Sequence, residues 1–163
     1  MKKLGIFLLA AALLAAMGML PFRAVDAAKL LPVKTVIVTK TGDEYVVDIG
    51  AGVRAVGRTL REALDRMREE VTGEVFLPTA EQVIITEPAD GAVEAVAEET
   101  EFRPAAGVYR TPDPNPDTSA LGAYLDAHPS NMTILDLRAA LAQGRRPVVP
   151  VIRAADGGYR VDG

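Results

Sequence analysis

The 163-residue chain has no cysteine and no tryptophan, a single histidine (His128), and only four phenylalanines and four tyrosines. Without cysteine, no disulfide can brace the fold in an oxidising compartment, no thiolate can hold zinc or attack a substrate, and no lipid can be joined through an N-terminal cysteine. Apolar burial and hydrogen bonding must carry stability. One imidazole cannot build a histidine-based metal site, and His128, set before Pro129 in a helix-ending loop, reads as an ordinary surface residue. Basic charge is also in deficit: removing Lys2, Lys3, Arg23 and Asp26 from 18 basic and 22 acidic residues leaves 15 and 21, a net charge of −6. An acidic surface repels phosphate, and no basic stripe interleaved with aromatics occurs, so nucleic acid is excluded as a partner.

Catalytic signatures are equally sparse. There is no G-x-S-x-G elbow, no Walker loop and no dinucleotide glycine pattern, because Gly50, Gly52 and Gly57 have the wrong spacing and no Lys-Ser/Thr pair follows them. Asp113, Asn115 and Asp117 mimic the alternating oxygens of a calcium loop. Prolines intervene, however, Thr118 takes the glycine position, and Tyr124 takes the place of the bidentate glutamate. The neighbours Glu69–Glu70 and Glu98–Glu99 fall on helices and are expected to diverge into solvent, which leaves paired-carboxylate hydrolysis without support. Arg145–Arg146, ahead of Pro147, reads as a solvated loop, with contact to anionic lipid or a partner as its second reading. No residue is assigned a catalytic, cofactor-binding or metal-ligating role.

What is present begins with a leader. Residues 4–20 form a run of seventeen uncharged, mostly apolar residues behind Lys2 and Lys3, ending at Pro21. Val25, Asp26 and Ala27 put small residues at the −3 and −1 positions of a signal-peptidase cut before Ala28. The run also borders on the roughly 20 residues that span a bilayer core, so an uncleaved anchor is the alternative. Either way the expectation is export, with residues 28–163 forming one domain on the far side of the membrane.

Within that domain the apolar period switches repeatedly between two and about 3.6, the pattern of an α/β protein. Residues 33–39 (VKTVIVT) and 45–49 (YVVDI) read as a hairpin with Gly42 in its turn. Thr59 and Glu62 form a capping box for a helix over 60–72 ending at Gly73, with Leu60, Ala63, Leu64, Met67 and Val71 on one face. Residues 83–86 (VIIT) predict a strand buried on both faces, and 91–100 a short helix whose acidic end opposes the helix dipole. Residues 107–110 predict another strand, the three prolines of 111–117 a loop, and 119–127 a helix spaced through Leu121, Tyr124 and Leu125. Thr133 and Asp136 open a second capped helix that buries Ile134, Leu137 and Leu141 and stops at Gly144. Residues 148–153 and 159–161 predict a closing strand pair across Asp156, Gly157 and Gly158. The expected architecture is α/β (α+β), a mixed sheet of five to six strands carrying three to four helices.

Four stretches in this order carry a family resemblance: the strand pair near the start of the domain, G-R-T-L-R-E-A-L at 57–64, the strand at 83–86, and E-F-R-P-A-A-G-V-Y at 101–109. Residues 137–150 (LRAALAQGRRPVVP) add a helix followed by a G-R-x-P-V-x-P entry into a strand. Together they resemble the N-terminal domain of the Ger(x)C spore germination proteins, the C subunits of germinant receptors. The resemblance implies a non-enzymatic module that contacts membrane-embedded and soluble receptor subunits, or other envelope proteins, at the outer face of the cytoplasmic or spore inner membrane, with no cofactor. Family members also carry a lipobox cysteine and further domains. This chain has no cysteine, so the expectation includes a truncated paralogue, a remnant without receptor function, or a stand-alone domain, with any membrane attachment resting on an uncut leader. An exported enzyme of unknown reaction is the alternative from a different class.

Overall fold

The computed structural model describes residues 30–50, 52–88, 90–155 and 158–162. The leader, the cut before Ala28 and the turn at Asp156–Gly157 lie outside the described residues. The first strands are β1 (Leu30–Pro32), β2 (Thr35–Thr41), β3 (Glu44–Asp48) and β4 (Arg54–Gly57), followed by helix α1 (Leu60–Glu70), β5 (Glu74–Phe76) and a 3₁₀ turn, Leu77–Thr79. The chain continues through β6 (Gln82–Thr86), α2 (Ala92–Glu98), β7 (Gly107–Thr111), α3 (Thr118–Ala127), α4 (Ile134–Ala142), β8 (Val151–Ala155) and β9 (Gly158–Asp162).

The fold is α/β. A seven-stranded mixed sheet runs in the order β4-β3-β2-β6-β7-β8-β9, and β1 pairs with β5 in a separate two-stranded sheet. β2, β6, β7 and β8 are mutually parallel, while β3–β4 and β9 attach antiparallel at the two sides. Every residue of β6 is buried, as its unbroken apolar run predicts for a strand covered on both faces. On one face Val36, Val38, Val83, Ile85 and Val108 meet Leu60, Leu64 and Met67 of α1, Val96 of α2, and Ile134 and Leu137 of α4. On the other, Ile37, Ile84 and Tyr109 form one row across β2, β6 and β7 and pack under Leu121 and Leu125 of α3. Burying a leucine- or methionine-sized side chain stabilises by about 1.5–3 kcal/mol, so the apolar face of α1 contributes heavily to holding the sheet.

Both capped helices start where the sequence places them. Thr133 and Asp136 complete a reciprocal capping box. At α1, Thr59 Oγ1 accepts from the Glu62 amide at 3.1 Å, but the Glu62 carboxylate accepts from the Arg58 amide at 2.9 Å, one residue earlier than the motif predicts. α1 stops at Glu70 rather than Thr72, because Val71 is already extended and Gly73, at φ 137°, turns the chain into β5. In α4 the buried face is Ile134, Leu137 and Ala140, with Leu141 only half-buried.

Three strands exceed the sequence reading. β1 and β5 are three residues each, too short for a period-two signal. β4 falls in the glycine-rich stretch read as loosened chain, although its residues alternate exposed and buried as a strand's do. The main sheet therefore has seven strands rather than five or six. Residues 148–150 are not part of β8: proline has no amide to donate, so Pro150 precedes the strand and Val148 projects into solvent.

Gly57 marks the tightest junction. A Cβ there would lie 2.4 Å from the Ala63 nitrogen and 2.8 Å from the Glu62 carbonyl carbon, so any side chain would lift α1 off β4. Gly57→Ala is expected to destabilise the fold by about 1–3 kcal/mol, read as a lower urea midpoint. Gly158→Ala, where a Cβ would meet nothing within 4 Å, serves as the silent comparison; an unchanged midpoint for Gly57→Ala would refute the tight junction.

Candidate functional site: a self-paired charge cluster beside the hairpin

A cleft of about 900 Å³ opens between the β2–β3 hairpin, the start of α1 and the end of α2, lined by Lys40, Tyr45, Arg58, Arg61, Glu98 and Glu99. The hairpin wall is held by the Tyr45 hydroxyl, which donates to the Gly91 carbonyl at 3.3 Å, and by the Lys40 ammonium, 5.6 Å from the Tyr45 ring centroid. The buried side of the cleft is formed by Glu99, whose side chain is 3% exposed.

Arg61 Nη2 lies 2.8 Å from Glu99 Oε1, which also accepts from the Glu101 amide at 3.0 Å. Arg61 reaches Glu101 Oε1 through its other terminal nitrogen at 2.5 Å, Arg68 pairs with the second oxygen of Glu101, and Arg68 also meets Asp65 at 2.9 Å. From the opposite side Arg138 of α4 donates to the carbonyls of Ala97 and Glu99, both at 2.7 Å, closing the orphan carbonyls at the end of α2. Burial pushes the Glu99 carboxyl above its ordinary range, against the pull of Arg61 and Arg68 in the other direction.

This corrects the expectation that Glu98 and Glu99 both face solvent. α2 ends at Glu98, and Glu99 leaves the helix with extended backbone, so the two side chains no longer follow helical spacing and Glu99 turns inward. Glu69 and Glu70 remain exposed on the last turn of α1. Chemically the cluster is occupied by itself. Glu99 and Glu101 are both engaged by arginines, and of the hydroxyls lining the cleft Tyr45 donates to the Gly91 carbonyl and Thr59 accepts from the Glu62 amide.

A second polar group fastens α3. Thr35 Oγ1 donates to Gln82 Oε1 at 2.8 Å, Gln82 Nε2 donates to Asp126 at 3.1 Å, and Lys34 donates to the same carboxylate at 2.5 Å. Gly122 lets the helix approach, since a Cβ there would meet Thr35 Oγ1 at 2.8 Å. The sequence carries no local signal for either cluster, because their members are drawn from elements between 33 residues apart, as for Arg68 and Glu101, and 92, as for Lys34 and Asp126.

The remaining candidate residues are spent on local structure. Asp113 accepts from the Asn115 amide, and Asp117 caps α3 by accepting from Ser119 and Ala120, so these oxygens serve the backbone. His128 is exposed, as expected, stacks on Tyr124 at 4.1 Å between ring centroids, and gives its carbonyl to the Tyr109 hydroxyl at 2.9 Å. Arg145 and Arg146 are exposed in the loop before β8. Among the described residues no group of three histidine or acidic side chains is placed to hold a metal ion, and no helix is long and apolar enough to cross a membrane. No family model, curated protein or solved structure matches the chain.

For an acid whose folded pKa is raised, the folded state binds the proton more tightly than the unfolded state, so stability falls as pH rises from the ordinary value of 4.5 through the folded value. Glu99→Gln is therefore expected to lose part of the wild-type decline in urea midpoint as the pH is raised above 4.5. A wild-type advantage that grows with pH over the same range would mean that the arginine pairing outweighs burial.

Proposed function

We propose that this chain is a non-enzymatic extracytoplasmic module, related to the N-terminal domain of spore germination receptor C subunits, that works through protein–protein contacts at the outer face of the membrane. The observation that carries this reading is the self-pairing of the charged cluster: at the buried side of the cleft Arg61, Arg68, Glu99 and Glu101 are matched to one another. What remains available is surface.

The stretches that resemble the germination family support this reading at the level of scaffold. Residues 57–64 contain the Gly57 junction and the cap and first turns of α1, residues 83–86 are the central strand, and residues 101–109 carry the buried Phe102 into β7. Residues 137–150 span most of α4 and the loop into β8. These segments set packing rather than chemistry, so a shared framework with a different outer surface is the relation they suggest. Membrane-embedded and soluble germinant-receptor subunits, or other envelope proteins, are the proposed partners. The leader, kept or cleaved, governs whether the module is anchored or held only by them.

Chemical crosslinking of the native protein in spore membranes, followed by identification of the captured chains, is expected to return a multi-pass subunit and a larger soluble subunit encoded by adjacent genes. Recovery of the protein free in the cytosol, or from a lone gene in a catabolic cluster with unchanged germination on deletion, would refute the reading. N-terminal sequencing of the membrane fraction separates the two forms of attachment: Ala28 at the start marks a released domain, Met1 or Lys2 an anchored one.

A further inference from the structure

The two ends of the main sheet are treated differently. At one end β4 presents its outer edge, but Arg66 of α1 donates to the Val56 carbonyl at 2.8 Å, and Gly57 is pressed against α1. That edge is blocked in the way natural sheets usually protect themselves from edge-to-edge pairing. At the other end, among the described residues, nothing pairs with the outer edge of β9.

The hairpin that ends there meets the parallel strands over a short ladder. β8 joins β7 through one register pair, Arg110 with Val151, so most of β8 and β9 extends beyond the parallel ladder. The Arg110 amide donates to the Pro150 carbonyl, so residues 150 and 152 of this segment turn to β7, and Val151 and Arg153 turn to β9. Opposite them Asp162 and Arg160 make the bonded pairs with β8, and because bonded and non-bonded pairs alternate, the amides and carbonyls of Tyr159 and Val161 aim outward.

The two faces of this edge differ in chemistry. On the α3 face, Tyr159 and Val161 continue the apolar row of Ile84, Tyr109 and Ile152. On the other face Arg153 stands directly opposite Arg160, and the two share Asp162 at 3.4 and 2.7 Å. Like charges facing each other across a ladder are unfavourable, and one carboxylate serves two guanidiniums. The imbalance extends beyond the pair: residues 137–163 hold five arginines and two aspartates, whereas residues 28–136 hold 10 basic and 19 acidic residues.

We propose that the outer edge of β9 is a docking site for an extended segment of another protein in which apolar and acidic residues alternate. Its backbone adds an eighth strand to the sheet by bonding Tyr159 and Val161, its apolar residues continue the Tyr159–Val161 row, and its carboxylates meet Arg160 and Arg153. A second copy of this chain fits poorly: antiparallel pairing centred on Arg160 would stack four arginines on one face, and the β4 edge is already covered. This docking site follows from the chemistry of the sheet edges and is independent of the germination reading.

The test uses the full chain in mild detergent, and a fluorescein-labelled hexapeptide of alternating valine and glutamate beside a valine–lysine counterpart. Fluorescence anisotropy is expected to show binding of the acidic peptide only, weakening as salt rises. Amide exchange is expected to slow at Tyr159 and Val161. Arg160→Glu, at an exposed position, should weaken binding at least about tenfold, in line with loss of a close charge contact. Val161→Pro, which removes an outward amide, should abolish it while leaving the circular dichroism spectrum unchanged. Equal binding of both peptides, binding without protection of the two amides, or no binding of the acidic peptide would overturn the proposal. So would concentration-dependent dimerisation through β9, or capture by phosphatidylglycerol vesicles with no response to the peptide.

Discussion

The structure depends on burying β2, β6 and β7 on both faces at once. A parallel strand covered on one side only would expose a row of valine and isoleucine side chains, and this chain has no disulfide to compensate for such a loss. α1, α2 and α4 therefore share one face, while α3 covers the other. The close approaches at Gly57 and Gly122 follow from that need, because helices that stand further off would leave voids over the sheet.

Polar groups are arranged to serve this burial. Arg138 closes the end of α2, Asp117 and Thr133 cap α3 and α4, and the Thr35–Gln82–Asp126 chain fastens α3 across the ends of the strands. Arg61 and Glu99 illustrate the cost of such an arrangement. A carboxylate taken out of water needs its partner, because removing either one leaves an uncompensated charge.

The two sheet edges carry the clearest asymmetry in the molecule. β4 is sealed by an arginine from the neighbouring helix, and β9 is left with paired arginines on one face and apolar residues on the other. Charge on an edge strand discourages pairing with copies of itself, and the same charge selects an oppositely charged strand. Protection and recognition can therefore come from the same residues.

The α/β class, the central buried strand, the four helices and the caps at Thr59 and Thr133 were legible from the sequence, because each rests on local periodicity or a motif spanning four residues. The sequence also located the closing hairpin and the loop of three prolines. It did not reveal β1, β4 or β5: short strands built on small or isolated apolar residues have no period of their own and exist only where a partner strand accepts them. Nor did it show that Glu99 turns inward while Glu98 stays out, since the end of α2 is set by Arg138 from a helix 39 residues onward. Local pattern determined which elements form. Tertiary packing decided which side chains meet, because burial and pairing depend on neighbours in space that no short window of residues contains.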